Sequence, residues 1–128
     1  MVGSGKGARA GLIGASSKHP INSFKAAVAH AAAEAYSGPP LDCPLVMRIV
    51  AVFPRPKAKQ WKTRPMPREP YIAKKNDWDN VGKGVCDALN QRVFVDDGLL
   101  WRVTVERWIA AGDEQPHVEV TIEALAPA

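Results

Sequence analysis

Five side chains in the stretch NDWDNVGKGVCDALNQRVFVDD (76–97) are of the types that phosphate hydrolysis uses: Asp77, Asp79, Lys83, Asp96 and Asp97. Carboxylates gathered at one place repel each other unless a cation sits among them, and their oxygens suit hard Mg2+ or Mn2+. A lysine beside such a site can stabilise charge on a phosphate or on a leaving oxygen. Asp77 and Asp79 stand two apart on an extended approach to a helix, a spacing that points both side chains one way. If the strand after the helix runs beside the segment before it, both acid pairs meet at one end of a sheet. Lys83 lies one helical turn beyond Asp79 and reaches the same place. Spacing alone supports a plainer reading equally well: Asp79 caps the helix, Asp77 pairs with Lys74 or Lys75, and Asp96-Asp97-Gly98 is a turn. An EF-hand loop is excluded, because its fifth and twelfth positions would be Val81 and Ala88, which offer no side-chain oxygen.

The elements that must position these residues follow from periodicity. NSFKAAVAHAAAEAYSG (22–38) reads as a helix, with Asn22 or Ser23 as cap and Gly38-Pro39 as stop. His30 in its middle has only Glu34 within ligand spacing and reads as a solvated or core histidine. PLVMRIVAVFP (44–54) reads as a strand, apolar on both faces except for Arg48 and therefore central in a sheet. Residues 79–89 read as a second helix with Val81, Val85, Ala88 and Leu89 on its buried face. Gly82 and Gly84 each cost that helix roughly 1 kcal/mol against Ala. Residues 91–97 read as a short strand or extended run. WRVTVERWIA (101–110) and HVEVTIEAL (117–125) alternate apolar with polar and read as an antiparallel hairpin with one wet face. The order predicts one small α+β domain, a mixed sheet packed with two main helices. Residues 1–21, rich in Gly, Ser, Ala and Lys, read as a poorly structured segment before a domain over 22–128. ARAGLIG (8–14) is the only strand candidate in it.

Composition narrows the function classes. The chain has 128 residues and a net charge of +4, enough length for a core without staples. Cys43 and Cys86 are too few and too far apart for a disulfide framework or a zinc site. No apolar run approaches the roughly 20 residues of a membrane span, and no signal peptide is evident, so a cytoplasmic, reducing location is expected. GSGKG (3–7) lacks the spacing and the flanking elements of a phosphate loop. The positive charge is local. PRPKAKQWKTRPMPREPYIAKK (54–75) holds Arg55, Lys57, Lys59, Lys62, Arg64, Arg68, Lys74 and Lys75 against Glu69 alone, eight against one, a net of +7. Five prolines there bar regular structure, so the stretch is expected as an exposed loop that contacts a polyanion. Its expected DNA contacts are Arg55, Lys57, Lys59, Lys62, Arg64, Lys74 and Lys75, with Lys83 nearby. Trp61 and Tyr71 in that loop either stack on unpaired bases or anchor the loop to the body.

Asp77-x-Asp79-Asn80-x-x-Lys83, then Asp87-Ala88-Leu89-Asn90, then Val95-Asp96-Asp97, resembles the RusA family of Holliday junction resolvases, often carried by phages. FPRPK (53–57) and GPPLDCPL (38–45) are also similar, and the resemblance runs over about 22–125. It implies an Mg2+-dependent endodeoxyribonuclease, with Mn2+ as a substitute metal, that acts as a homodimer and resolves four-way DNA junctions by paired symmetric nicks. A flap or other branched-DNA nuclease, or a non-catalytic DNA-binding module of the same fold, are the alternatives. By motif position, Asp77, Asp79 and Asp97 are implied as the essential metal-binding acids, Asp96 as an accessory acid and Lys83 as a catalytic or DNA-contacting lysine. Asn80 is implied to orient an acid or the helix start. Trp78 departs from the small aliphatic residue common between the two acids. Trp101, Trp108 and the 22–37 helix are candidates for the dimer interface.

Overall fold

The computed structural model describes residues 9–15 and 21–125. Its elements follow in the order β1 (Arg9–Ala15), α1 (Ile21–Ala35), β2 (Leu45–Phe53), β3 (Glu69–Pro70), α2 (Trp78–Leu89), β4 (Leu100–Ile109) and β5 (His117–Ala124). They form one mixed sheet, β1-β5-β2-β4-β3, with both helices on one face. This is the α+β arrangement, a mixed sheet and two helices, that the element order predicts.

LVMRIVAVF takes the middle of the sheet because it is apolar on both faces. Leu45, Met47, Ile49 and Ala51 point to the helices, and Val50 and Val52 point the other way beneath Trp108 and Ala110. From β5, Val118, Val120, Ile122 and Ala124 join the helix-side core, while α1 contributes Val28 and Ala32 and α2 contributes Val81, Val85, Ala88 and Leu89. Those residues recur at helical spacing, so each helix presents one apolar stripe to the sheet. Lys25 of α1 and Asp87 of α2 pair at 3.0 Å over this packing. His30 is solvent-exposed and pairs with Glu34 at 3.2 Å, the solvated one of the two roles expected of it.

Three expectations change. Residues 101–110 and 117–125 are strands, but they are not a hairpin. β2 lies between them, parallel to β4 and antiparallel to β5. Residues 110–116 cross the width of β2, about 10 Å between strands one apart, which seven residues span easily. The apolar β2 gains a neighbour on each side this way, whereas a hairpin leaves one of its edges open. Second, residues 91–97 form no strand. A turn follows α2, Phe94 is fully buried, and the chain makes only isolated bridges to Leu41 and Asn90. Third, Arg9–Ala15, read as part of a loop, is a strand paired antiparallel with β5 across its whole length. Gly11 and Gly14 dilute the β-signal there, and only the exposed edge of β5 supplies the pairing.

The crossing at 110–116 is fixed by charge. Arg68 makes a two-pronged pair with Glu114, whose Oε1 also accepts the Ala111 N–H. The Arg68 guanidinium, hydrogen-bonded to Glu114, holds that carboxyl well below its usual 4.5, at about 2. A depressed carboxyl pKa contributes stability above the unfolded value and loses it as pH falls through the folded one. Glu114→Gln is therefore expected to lower stability at pH 6 in denaturant titrations. The gap from the wild type should close as pH drops from about 4.5 towards 2; a gap independent of pH would refute this role.

Candidate active site and nucleic-acid surface

The helix that carries Asp79 and Lys83 starts one residue earlier than its pattern indicates. Asn76 sits in the left-handed region, φ 55°, a conformation that Asn tolerates better than most residues. Arg107 of β4 holds that turn, its Nη1 donating to the carbonyls of Ala73 (3.0 Å) and Asn76 (3.2 Å). The chain then enters α2 with Asp77 as the cap, its Oδ1 accepting the Asn80 N–H at 2.9 Å. Asp77, not Asp79, is therefore the cap. Asp79 lies in the first turn and pairs with Lys83 at 3.1 Å, both side chains well exposed. Asp87, also in reach of Lys83 by spacing, turns to Lys25 instead. The extended-chain argument for Asp77 and Asp79 lapses, since one is a cap and the other is helical; they remain neighbours at one helix start. Asn80 caps nothing with its side chain in this arrangement; its backbone N–H is what Asp77 binds.

Asp96 and Asp97 lie elsewhere. Asp96 caps a single 3-10 turn, Asp97–Leu99, by accepting the Gly98 N–H at 2.8 Å. Asp97 acts on Cys86, whose thiol is pushed up to about 11 by burial first and then by Asp97 and Asp87. Topology accounts for the placement. β2 and β4 are parallel, with Phe53 beside Ile109 and Leu45 beside Leu100. The chain between them must leave one end of the sheet and return to the other, and α2 makes that journey. Asp77 and Asp79 thus stand at the Phe53–Ile109 end and Asp96–Asp97 at the Leu45–Leu100 end. α2, about 18 Å long, runs between those two ends. The two acid pairs do not meet within one chain. Among the described residues no group of three or more His, Cys, Asp or Glu side chains is placed to hold a metal ion. The donor set suits a hard cation, but one chain offers it only the Asp77–Asp79 pair at that helix start.

The basic loop is anchored rather than loose. Its anchor is Arg55, expected among the DNA contacts and found buried at 8% exposure. Its guanidinium donates to the carbonyls of Lys59, Pro67 and Ala110 and to Glu69 at 2.7 Å, and lies against the Trp61 ring. Five donors in a rigid fork can satisfy these four acceptors, which is why Arg and not Lys occupies this position. Arg55 is consequently unavailable to a polyanion. Glu69 takes Lys59 as well, at 3.1 Å, and its carboxyl is lowered by the Lys59 hydrogen bond first and by Arg55. Arg64 stacks on the other contact of Trp61, 3.8 Å from its centroid. Tyr71 stacks on Phe53 with Arg107 over its ring. Both loop aromatics serve the anchoring role. Lys57, Lys62, Lys74 and Lys75 remain exposed.

One exposed aromatic ring lies where the pattern gave no role. Trp78, 64% exposed, projects from the first turn of α2 between Asp77 and Asp79. Its place at the helix start follows only once Asp77 is known to be the cap.

A family model described as endodeoxyribonuclease RusA matches residues 7–123, nearly the whole chain and including β1. No curated protein matches the chain.

Removing the anchor tests the assignment of Arg55. Arg55→Ala is expected to lower the melting temperature by about 5–10 °C, because buried acceptors lose their donors. Arg55→Lys should recover little of it. A change at Arg55 that left thermal stability intact while weakening DNA binding would restore it to the contact surface.

Proposed function

Because the chain belongs to the RusA endodeoxyribonuclease family, we propose that it cleaves four-way DNA junctions, with Mg2+ as cofactor, as a homodimer that makes paired symmetric nicks. The observation that carries this reading is the Asp77–Asp79–Lys83 group at the start of α2, half-buried at Asp77 and exposed at Asp79 and Lys83, beside an anchored loop with four exposed lysines. The DNA backbone would lie across Lys57, Lys62, Lys74 and Lys75, with Arg64 at the margin. Lys59, half committed to Glu69, would contribute less. Such contacts are made to phosphates and position the duplex without reading its sequence. Trp78 would stack on a base opened at the junction centre, as aromatic faces do with unpaired bases.

The separation of the acids gives the homodimer a chemical purpose. In a two-fold dimer with antiparallel α2 helices, Asp96 and Asp97 of the partner subunit would complete the set begun by Asp77 and Asp79. Each dimer would then hold two matched sites, the symmetry that paired nicks require. Mg2+ held there would lower the pKa of a bound water and neutralise charge at the scissile phosphate. The protein's own part is to aim the carboxylates through the Asp77 cap and the Arg107-held turn. Lys83, released from Asp79 as the site fills, would face the phosphate oxygens.

Cleavage of a synthetic four-way junction, with flap, fork and duplex controls, tests this. Wild type should cut the junction in Mg2+ and spare plain duplex. Asp79→Asn should cut at least about 100-fold more slowly while still binding. Equal cutting of flaps would make the protein a general branched-DNA nuclease, and binding without cutting a non-catalytic module. Trp78→Ala should weaken junction binding by about 1–3 kcal/mol but leave duplex binding unchanged. Lys74→Ala with Lys75→Ala should weaken all DNA binding alike and reduce the salt slope by about 2.

A further inference from the structure

β4 is the second strand from one side of the sheet, yet for most of its length it is an edge. Its outer neighbour β3 pairs only Glu69 with Ile109 and Pro70 with Trp108. The Tyr71 N–H reaches the Arg107 carbonyl, and among the described residues no strand pairs that side of β4 before it. Backbone groups alternate sides along a strand, so if Arg107 faces outward, Val105 and Val103 do too. Two large apolar side chains stand exposed on this stretch, Trp101 at 54% and Val103 at 43%. A long exposed edge with apolar side chains is a template for another strand.

The sequence of this edge is complementary to itself. With two copies antiparallel about Thr104, Arg102 falls opposite Glu106 and Val103 opposite Val105, each twice. Val103 and Val105 then form the hydrogen-bonded pairs, as their outward backbones require, and Arg102 and Glu106 the non-hydrogen-bonded pairs whose side chains lie closest. Moving the axis to Arg102 would set Arg102 against itself. Arg102 is exposed, with its guanidinium 4.7 Å from the Trp101 centroid and, among the described residues, no carboxylate paired to it. Glu106 is held in place by Arg48 at 2.9 Å and by Trp108 Nε1 at 3.0 Å. Its carboxyl pKa is lowered, by the Arg48 hydrogen bond first.

We infer that the β4 edges of two copies of this chain pair antiparallel about Thr104, joining two sheets into one. The inference rests on the homodimer proposed above and names its surface. It also brings the 3-10 turn of one copy, which precedes β4, towards the Arg107 end of the other, where Asn76 and Asp77 lie. The pairing must end there, because Tyr71 and β3 occupy the outer side of β4 from Arg107 onward.

Cysteine cross-linking reads the register directly. Thr104 faces its own copy in a non-hydrogen-bonded pair, with Cα atoms about 4.5 Å apart, within disulfide range. Under mild oxidation Thr104→Cys is expected to give a covalent dimer as the major species. Arg102→Cys, about 13 Å from its copy in this register, and the wild type should not. Arg102→Glu, at an exposed position, should raise the dimer dissociation constant at least about tenfold in sedimentation velocity. A wild-type dimer that neither cross-links through Thr104→Cys nor responds to Arg102→Glu would overturn the β4 pairing and leave the homodimer standing on another surface. A wild type that stays monomeric at every concentration would remove both. Junction cleavage by that monomer would still uphold the nuclease reading.

Discussion

The parallel pairing of β2 with β4 is the constraint on which the rest depends. Antiparallel neighbours can be joined by a tight turn, but parallel ones need a connection that returns to the starting end of the sheet. Here that connection is residues 54–99, and it contains the basic loop, the cap at Asp77, α2 and the 3-10 turn after it. Every acid and lysine proposed to act on phosphate lies in this one crossover. Its two ends are at opposite ends of the sheet by necessity, and the acids are divided accordingly. Arg107 secures the arrangement by tying the turn before α2 to the far end of β4.

Charge within the crossover is sorted by burial. Arg55 spends its donors on carbonyls and on Glu69, and so fixes the course of a loop too rich in proline to form regular structure. Arg68 does the same for the 110–116 connection through Glu114. Lys57, Lys62, Lys74 and Lys75 carry no such duty and stay in solvent. A guanidinium has the fork geometry to organise several acceptors, whereas an ammonium is a point charge better left hydrated. The division between arginine as scaffold and lysine as surface charge follows from that difference.

The sheet is finished on one side and open on the other. β1 closes the β5 edge over seven residues, while β3 closes only the last two residues of β4. The open stretch carries Trp101 and Val103, residues that a half-buried strand has no reason to expose. On the face away from the helices, Val50, Val52, Trp108 and Ala110 make only a small cluster, and Arg48 with Glu106 covers the rest. The full covering on both faces that the apolar β2 implied is met there by side chains and not by a layer of helices.

What the sequence by itself determined is local and periodic. Both helices, the central strand and the two alternating strands were readable because burial imposes a period of 3.6 or 2 on the chain. The motif from Asp77 to Asp97 was readable because its residue types and spacing are uncommon. What only the tertiary structure decided is which pieces become neighbours. Alternation in β4 and β5 is the same whether they pair with each other or with β2, so nothing local could separate a hairpin from a crossing. Arg55 reads like any other cation in a basic run until three carbonyls converge on it. The Asp77 cap, the exposure of Trp78 and the distance between the acid pairs follow from where α2 begins and which way it runs. Those are fixed by long-range contacts with β4, and a one-dimensional pattern carries no record of them.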